Sequence, residues 1–125
     1  MNILLIDDDP EDCEMLAEAI GQTESNTTCT MLHDGEQALE YLMHSEVLPS
    51  LIFLDVNMPG MNGSECLVRI KSQPTLKHLP VIIYTTTASE ADEEKYLRLG
   101  ASYVIKKPNT YAAIKNQVQV LLKNL

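Results

Sequence analysis

Four short apolar runs in this 125-residue chain each lead into residues that can hold charge or move a proton. Ile3-Leu4-Leu5-Ile6 runs straight into Asp7 and Asp8, and Leu51-Ile52-Phe53-Leu54 ends at Asp55. Val81-Ile82-Ile83-Tyr84 ends at Thr85, and Tyr103-Val104-Ile105 is followed by Lys106-Lys107-Pro108. Placed side by side as parallel strands, these runs bring three carboxylates, a hydroxyl and an ammonium to one edge of a sheet. Asp7, Asp8 and Asp55 would repel one another there, and burying them unpaired is costly. A hard divalent cation resolves the conflict, and Mg²⁺ suits carboxylate oxygens and water. A carboxylate nucleophile, Mg²⁺, the Thr85 hydroxyl and the Lys107 ammonium together make a phosphoryl-transfer site. One carboxylate attacks phosphorus, while Lys107, Thr85 and the cation neutralise and orient the phosphoryl oxygens.

Each of these residues has a plainer role to weigh against that one. Asp9 reads as a helix cap, but Asp7 and Asp8 precede the cap and are not needed for it. A lone Asp55 before a Pro-Gly loop would be a turn residue; beside the Asp7-Asp8 pair it reads as a site residue. Thr85 opens a threonine triplet at the end of its run. Lys107 is preferred to Lys106 because neighbouring strand residues face opposite ways and Pro108 closes the run. His33, His44 and His78 are scattered and read as surface or loop residues.

The segments between the runs must carry the chain back across the sheet. Asp9-Pro10 starts the first helix, with Glu11 and Asp12 suited to its dipole and Gly21 its expected stop. Cys13, Leu16, Ala17 and Ile20 give it one apolar face. Thr27 to Leu32 is a weaker strand, and Gly35, Ala38, Leu39 and Leu42 stripe a second helix. Met58-Pro59-Gly60-Met61-Asn62-Gly63 is turn chemistry before a third helix carrying Cys66, Leu67 and Ile70. Ser89 and Asp92 have capping-box spacing for a fourth helix, which Gly100 ends. Asn109 is the expected cap of a last helix striped by Ile114, Val118, Leu121 and Leu125. Five strands alternating with five helices predict an α/β, doubly wound, five-stranded parallel sheet with helices on both faces. Such sheets place their sites at the carboxyl ends of the strands, where strand order reverses.

Charge is divided unevenly. Residues 1–68 carry fourteen acids and no base, and residues 69–125 nine bases and four acids, which gives the net charge of −9. So acidic a chain is a poor ligand for nucleic acid, whose phosphates need clustered Lys and Arg. It suits a protein partner with a basic face, and Glu11, Asp12, Glu14 and Glu18 on the first helix are the expected docking charges. No apolar run approaches the roughly 18 residues of a membrane span, and Ile3–Ile6 is too short for a signal peptide. Cys13, Cys29 and Cys66 lack CxxC spacing and read as reduced, small apolar residues of a cytoplasmic protein. The length is that of one domain, residues 1–125.

The runs ending in Asp7-Asp8 and Thr85, the block Leu54-Asp55-Val56-Asn57-Met58-Pro59-Gly60-Met61-Asn62-Gly63 and the pair Lys107-Pro108 resemble the receiver domains of two-component response regulators. The resemblance covers the whole chain in order. It implies a flavodoxin-like sheet with order 2-1-3-4-5. It also implies that Asp55 accepts a phosphoryl group from a sensor histidine kinase or a histidine phosphotransfer protein. Asp8, Asp55 and the backbone carbonyl of Asn57 would bind Mg²⁺, with Asp7 acting through water. Thr85 and Lys107 would hold the phosphoryl oxygens, and Asp55 alone would face both across the site. The Lys107–Pro108 bond is often cis in such domains. With no residues expected after the last helix for an output domain, the chain would signal through a partner protein or relay the phosphoryl group. Two departures stand out: Val104 and Asn109 replace residues that are usually aromatic. Two other readings compete. Asp7-x-Asp9 with a downstream Thr and Lys is similar to haloacid dehalogenase-like phosphohydrolases, and an unphosphorylated pseudo-receiver would serve only to bind.

Overall fold

In a computed structural model, residues 1–124 are described and form ten alternating elements. These are β1 (Asn2–Ile6), α1 (Pro10–Thr23), β2 (Thr28–Leu32), α2 (Gly35–His44) and β3 (Leu51–Leu54). There follow α3 (Gly63–Ser72), β4 (Val81–Thr85), α4 (Glu90–Arg98), β5 (Tyr103–Lys106) and α5 (Tyr111–Lys123). All strand pairs are parallel, in the order β2-β1-β3-β4-β5. Strand order therefore reverses between β1 and β3, which is where Asp7 and Asp55 end their strands.

The continuous apolar runs are explained by two cores, one on each face of the sheet. Leu4, Ile6, Ile52, Leu54, Val81 and Ile83 pack beneath α2, α3 and α4 with Ala38, Leu42, Leu67, Ile70 and Tyr96. Ile3, Leu5, Leu51, Phe53, Ile82 and Tyr84 pack beneath α1 and α5 with Leu16, Ile20, Ile114 and Val118. Central strands β1, β3 and β4 are buried on both faces, whereas β2 and β5 are half-exposed. A buried Leu or Ile contributes about 1.5–3 kcal/mol, so the three strands that carry site carboxylates and Thr85 are also the best anchored.

Local signals set most of the boundaries. Asp9 caps α1 by accepting from the backbone N–H groups of Glu11 and Asp12, with Pro10 in the first turn. Ser89 and Asp92 form the reciprocal capping box of α4, and Gly100 ends that helix at φ 111°. Two expected boundaries move. Helix α1 runs past Gly21 to Thr23, where the Thr23 hydroxyl donates to the Ala19 carbonyl. The cap of α5 is Thr110, not Asn109: the Thr110 side chain accepts from Ala113 N–H. No cis peptide bond occurs among the described residues, so Lys107–Pro108 is trans. Leu125, expected on the last apolar stripe, lies outside them.

Candidate functional site

Backbone pairing carries the site residues into register. Asp55 N–H donates to the Ile6 carbonyl at 2.9 Å, and Asp7 N–H to the Leu32 carbonyl at 3.1 Å. Lys107 N–H donates to the Thr85 carbonyl at 2.7 Å, which extends the β4–β5 ladder by one residue and locks Lys107 beside Thr85. The loop after Asp55 folds back so tightly that a Cβ at Gly63 would collide with Val56 Cα and the Asp55 carbonyl oxygen. Glycine is thus required where α3 begins, and Gly60 takes the positive φ of 71° that this loop needs.

Asp7, Asp8 and Asp55 each offer a carboxylate oxygen within 4.8 Å of the others, with Asp7 and Asp55 buried and Asp8 exposed. Lys107 Nζ lies 2.6 Å from Asp7 Oδ2, 2.9 Å from Asp12 Oδ2 and 3.3 Å from Asp55 Oδ2. The second oxygens of the buried pair are held by backbone: Asp9 N–H donates to Asp7 Oδ1 and Asn57 N–H to Asp55 Oδ1. Burial pushes the Asp7 carboxyl up to about 6, against the pull of its hydrogen bond to Lys107. Burial alone would lower the Lys107 ammonium, but its hydrogen bonds to Asp12 and Asp7 hold it above its ordinary value. The Tyr84 ring lies 5.7 Å from Nζ and gives the charge an aromatic face. On the other side, Asn57 Nδ2 donates to Thr85 Oγ1 at 3.1 Å, and the fully buried Thr85 hydroxyl donates to the Thr87 carbonyl at 3.4 Å.

All six residues expected at the site are brought to one strand edge, but several roles shift. Asp55 does not have Lys107 to itself, because Asp7 and Asp12 also bind it. Asp12 was expected as a dipole charge and an exposed docking charge in the first turn of α1; its side chain instead turns inward to Lys107, which nothing local shows. The Asn57 side chain, not only its backbone, is at work, as the bridge to Thr85. His33 lies exposed in the loop between β2 and α2, as expected, and its Nδ1 meets the Asp7 carbonyl at 2.9 Å. Asp9 spends its carboxylate on capping α1, so the second aspartate of a dehalogenase-like Asp-x-Asp pair is missing.

Comparison with known proteins agrees with this geometry. The family profile described as response regulator receiver domain matches residues 3–119, and the chain belongs to that family. It is a response regulator receiver domain, a phosphoacceptor with an acidic pocket, and the phosphohydrolase and pseudo-receiver readings find no support. Among its relatives is response regulator Rcp1 of Synechocystis sp., 34% identical over 72% of this chain and 65% of that protein. Another is a probable cyclic di-GMP phosphodiesterase of Vibrio cholerae, 31% identical over 98% of this chain. The chain spans only 26% of that protein's length. The phosphorylated cyanobacterial phytochrome response regulator RcpA superposes with a TM-score of 0.90 at 29% identity, covering 98% of this chain and 91% of that one. The Mn²⁺-bound form of Rcp1 superposes at 0.85, also with 29% identity, covering 96% and 90%. No described helix is long and apolar enough to cross a membrane.

Proposed function

We propose that Asp55 is the phosphoacceptor of this receiver domain. The observation that carries this is the convergence of Asp7, Asp8, Asp55 and Lys107 at the point where strand order reverses. Of the two buried carboxylates, Asp7 is the more tightly held by Lys107, at 2.6 Å. Asp55 has the longer contact, 3.3 Å, and lies on the central strand between the acidic pair and Thr85. Its oxygen attacks phosphorus, an O–P bond forms, and the P–N bond to the donor histidine breaks, leaving the imidazole with its electron pair. Lys107 neutralises one phosphoryl oxygen. Thr85 turns its hydroxyl from the long, weak bond to Thr87 to donate to another.

The donor set fits a hard divalent cation: all three groups are carboxylates, and the exposed Asp8 accepts no hydrogen bond from the described residues. Asp7, Asp8 and Asp55, with the Asn57 backbone carbonyl, would hold Mg²⁺. Bound there, the ion would offset the charge of the attacking carboxylate and of the phosphoryl oxygens. The Mn²⁺-bound Rcp1 structure supports a divalent ion at such a pocket.

The phosphodonor is a sensor histidine kinase or histidine phosphotransfer protein, and the acyl phosphate later hydrolyses without a separate enzyme. Residues 1–125 form a single receiver domain of a cytoplasmic protein that signals through a partner or relays the phosphoryl group. The experiment is phosphorylation by acetyl phosphate with Mg²⁺. One base-labile acyl phosphate is expected, absent from Asp55→Asn and withheld by chelator. Wild-type labelling in Asp55→Asn would overturn the assignment.

A further inference from the structure

Lys107 has one more partner than the phosphoryl chemistry requires. An ammonium carries three N–H donors, and here three carboxylates surround it. Two of them, Asp7 and Asp55, come from strand ends within the acidic cluster. The third, Asp12, stands in the first turn of α1, ninety-five residues away in sequence, and its Oδ2 is nearer to Nζ than that of Asp55. The helix does not need Asp12 as a cap, since Asp9 fills that place.

We propose that Asp12 is a positioning residue that competes for Lys107, and that the phosphoryl group on Asp55 takes the donor which Asp12 gives up. The proposal rests on Asp55 being the acceptor. On phosphorylation the Lys107 donor that meets Asp55 Oδ2 passes to the phosphoryl group, which brings one more anionic oxygen than the carboxylate it replaces; Lys107 has no fourth donor for that second oxygen, so Asp7 or Asp12 must yield. Asp7 is the costly one to release: its side chain is 7% exposed, and losing Lys107 would leave a buried carboxylate unpaired. Asp12 is the cheap one: its side chain is 34% exposed, so water can take the place of the ammonium. The exchange therefore falls on Asp12. Its charge also opposes a small anionic phosphodonor such as acetyl phosphate. Both effects make Asp12 a restraint on phosphorylation, and the first turn of α1 loses an ion pair when the restraint is released.

The test uses the full chain with Mg²⁺ in four forms: wild type, Asp12→Asn, Asp12→Glu and Glu36→Gln. Beryllofluoride, a phosphoryl analogue, is titrated by calorimetry, and labelling by acetyl phosphate is timed. Asp12→Asn should bind beryllofluoride about fivefold tighter, the size expected for one half-exposed ion pair, and should be labelled faster by a similar factor. Asp12→Glu should stay near wild type. Glu36→Gln removes the same charge from the exposed first turn of α2 without touching Lys107, and should change neither value by more than about twofold. A side chain that only supports α1 would give weaker binding and a lower thermal midpoint when removed, not a gain. Unchanged or weaker binding in Asp12→Asn, or an equal gain in Glu36→Gln, overturns the proposal while leaving Asp55 in place. Beryllofluoride binding that survives Asp55→Asn overturns the acceptor assignment and this proposal with it.

Discussion

The two sides of the site are tied down very differently. Toward β1 and α1, Lys107 is gripped by carboxylates from three separate elements at 2.6, 2.9 and 3.3 Å. Toward β4 and α4, Thr85 has neutral partners, the Asn57 amide at 3.1 Å and the Thr87 carbonyl at 3.4 Å. Charge-assisted bonds are about twice as strong as neutral ones, and the 3.4 Å bond is near the limit of being one at all. The charged side is thus built to hold a fixed geometry, and the neutral side to let a hydroxyl go. A receiver needs both, because a phosphoryl group must first be placed and then be felt elsewhere.

The largest expected effect breaks the charged side outright. Asp55→Asn keeps the shape and the Asn57 N–H bond but removes the nucleophile, so labelling by acetyl phosphate should fall to background. A smaller effect concerns the ion. Because a cation binds the folded state and not the unfolded one, Mg²⁺ at ~100 times its dissociation constant should stabilise the protein by about 2.7 kcal/mol. Asp8→Asn should weaken that binding and raise metal-free stability, since it removes one of three clustered charges. A thermal midpoint that ignores millimolar Mg²⁺ would refute the cation site.

The same crowding sets a pH dependence in the metal-free protein. Asp7 is near 6 when folded, against 3.8 for an ordinary aspartate, because burial penalises its charged form. Between those values the folded state holds more protons than the unfolded one, so this contribution to stability is complete below about pH 4 and lost as pH rises to about 6. Measured in chelator, the thermal midpoint of wild type should fall over that window relative to Asp7→Asn. Parallel curves would show that Lys107 compensates Asp7 fully. Smaller again is the effect of the outer face of α1. Reversing Glu14, an exposed charge, should slow transfer from a protein donor and flatten its salt dependence, while leaving acetyl phosphate labelling alone. Unchanged transfer kinetics would mean that this face is only solvated.

Much of this was legible before the structure, and the reason is locality. Asp9-Pro10, Ser89 with Asp92, and the runs of β1, β3 and β4 are signals whose cause lies within a few residues. The strand ends then define one edge, which is why chain order alone groups Asp7, Asp8, Asp55, Thr85 and Lys107. Asp12 could not, because an acid at that helical position is already explained by the dipole, and its true partner is ninety-five residues on. The His33 ring and the Asn57 amide were hidden for the same reason: each acts through a contact that only the assembled sheet edge creates. Asn109 and Thr110 are both plausible caps in sequence, and only backbone geometry separates them.

The neutral side yields the smallest expected effect. The resemblance to receiver domains implies, at the place of Val104, an aromatic ring that turns inward when the threonine hydroxyl is drawn to the phosphoryl group. Val104 is half-buried against the α2–α4 core, and its branched side chain has few rotamers and no ring to move. Tyr103 is 40% exposed, and strand alternation turns it to the opposite face, beside Ile105 and α5. It cannot take over without a register slip, and its pairing with Ile82 is fixed by the β4–β5 ladder. The route left is the backbone of Thr86-Thr87-Ala88, which leads directly into the Ser89 capping box of α4. When the Thr85 hydroxyl leaves the Thr87 carbonyl, that segment is the one released. Coupling through so weak a bond should be about 1 kcal/mol, the low end for allosteric systems. Amide chemical shifts of free and beryllofluoride-bound protein should therefore change most from Thr86 to Ser89 and little at Tyr103. Larger changes at Tyr103 and along the outer face of β5 would show that the two sides of the site are joined by a route that Val104 does not block.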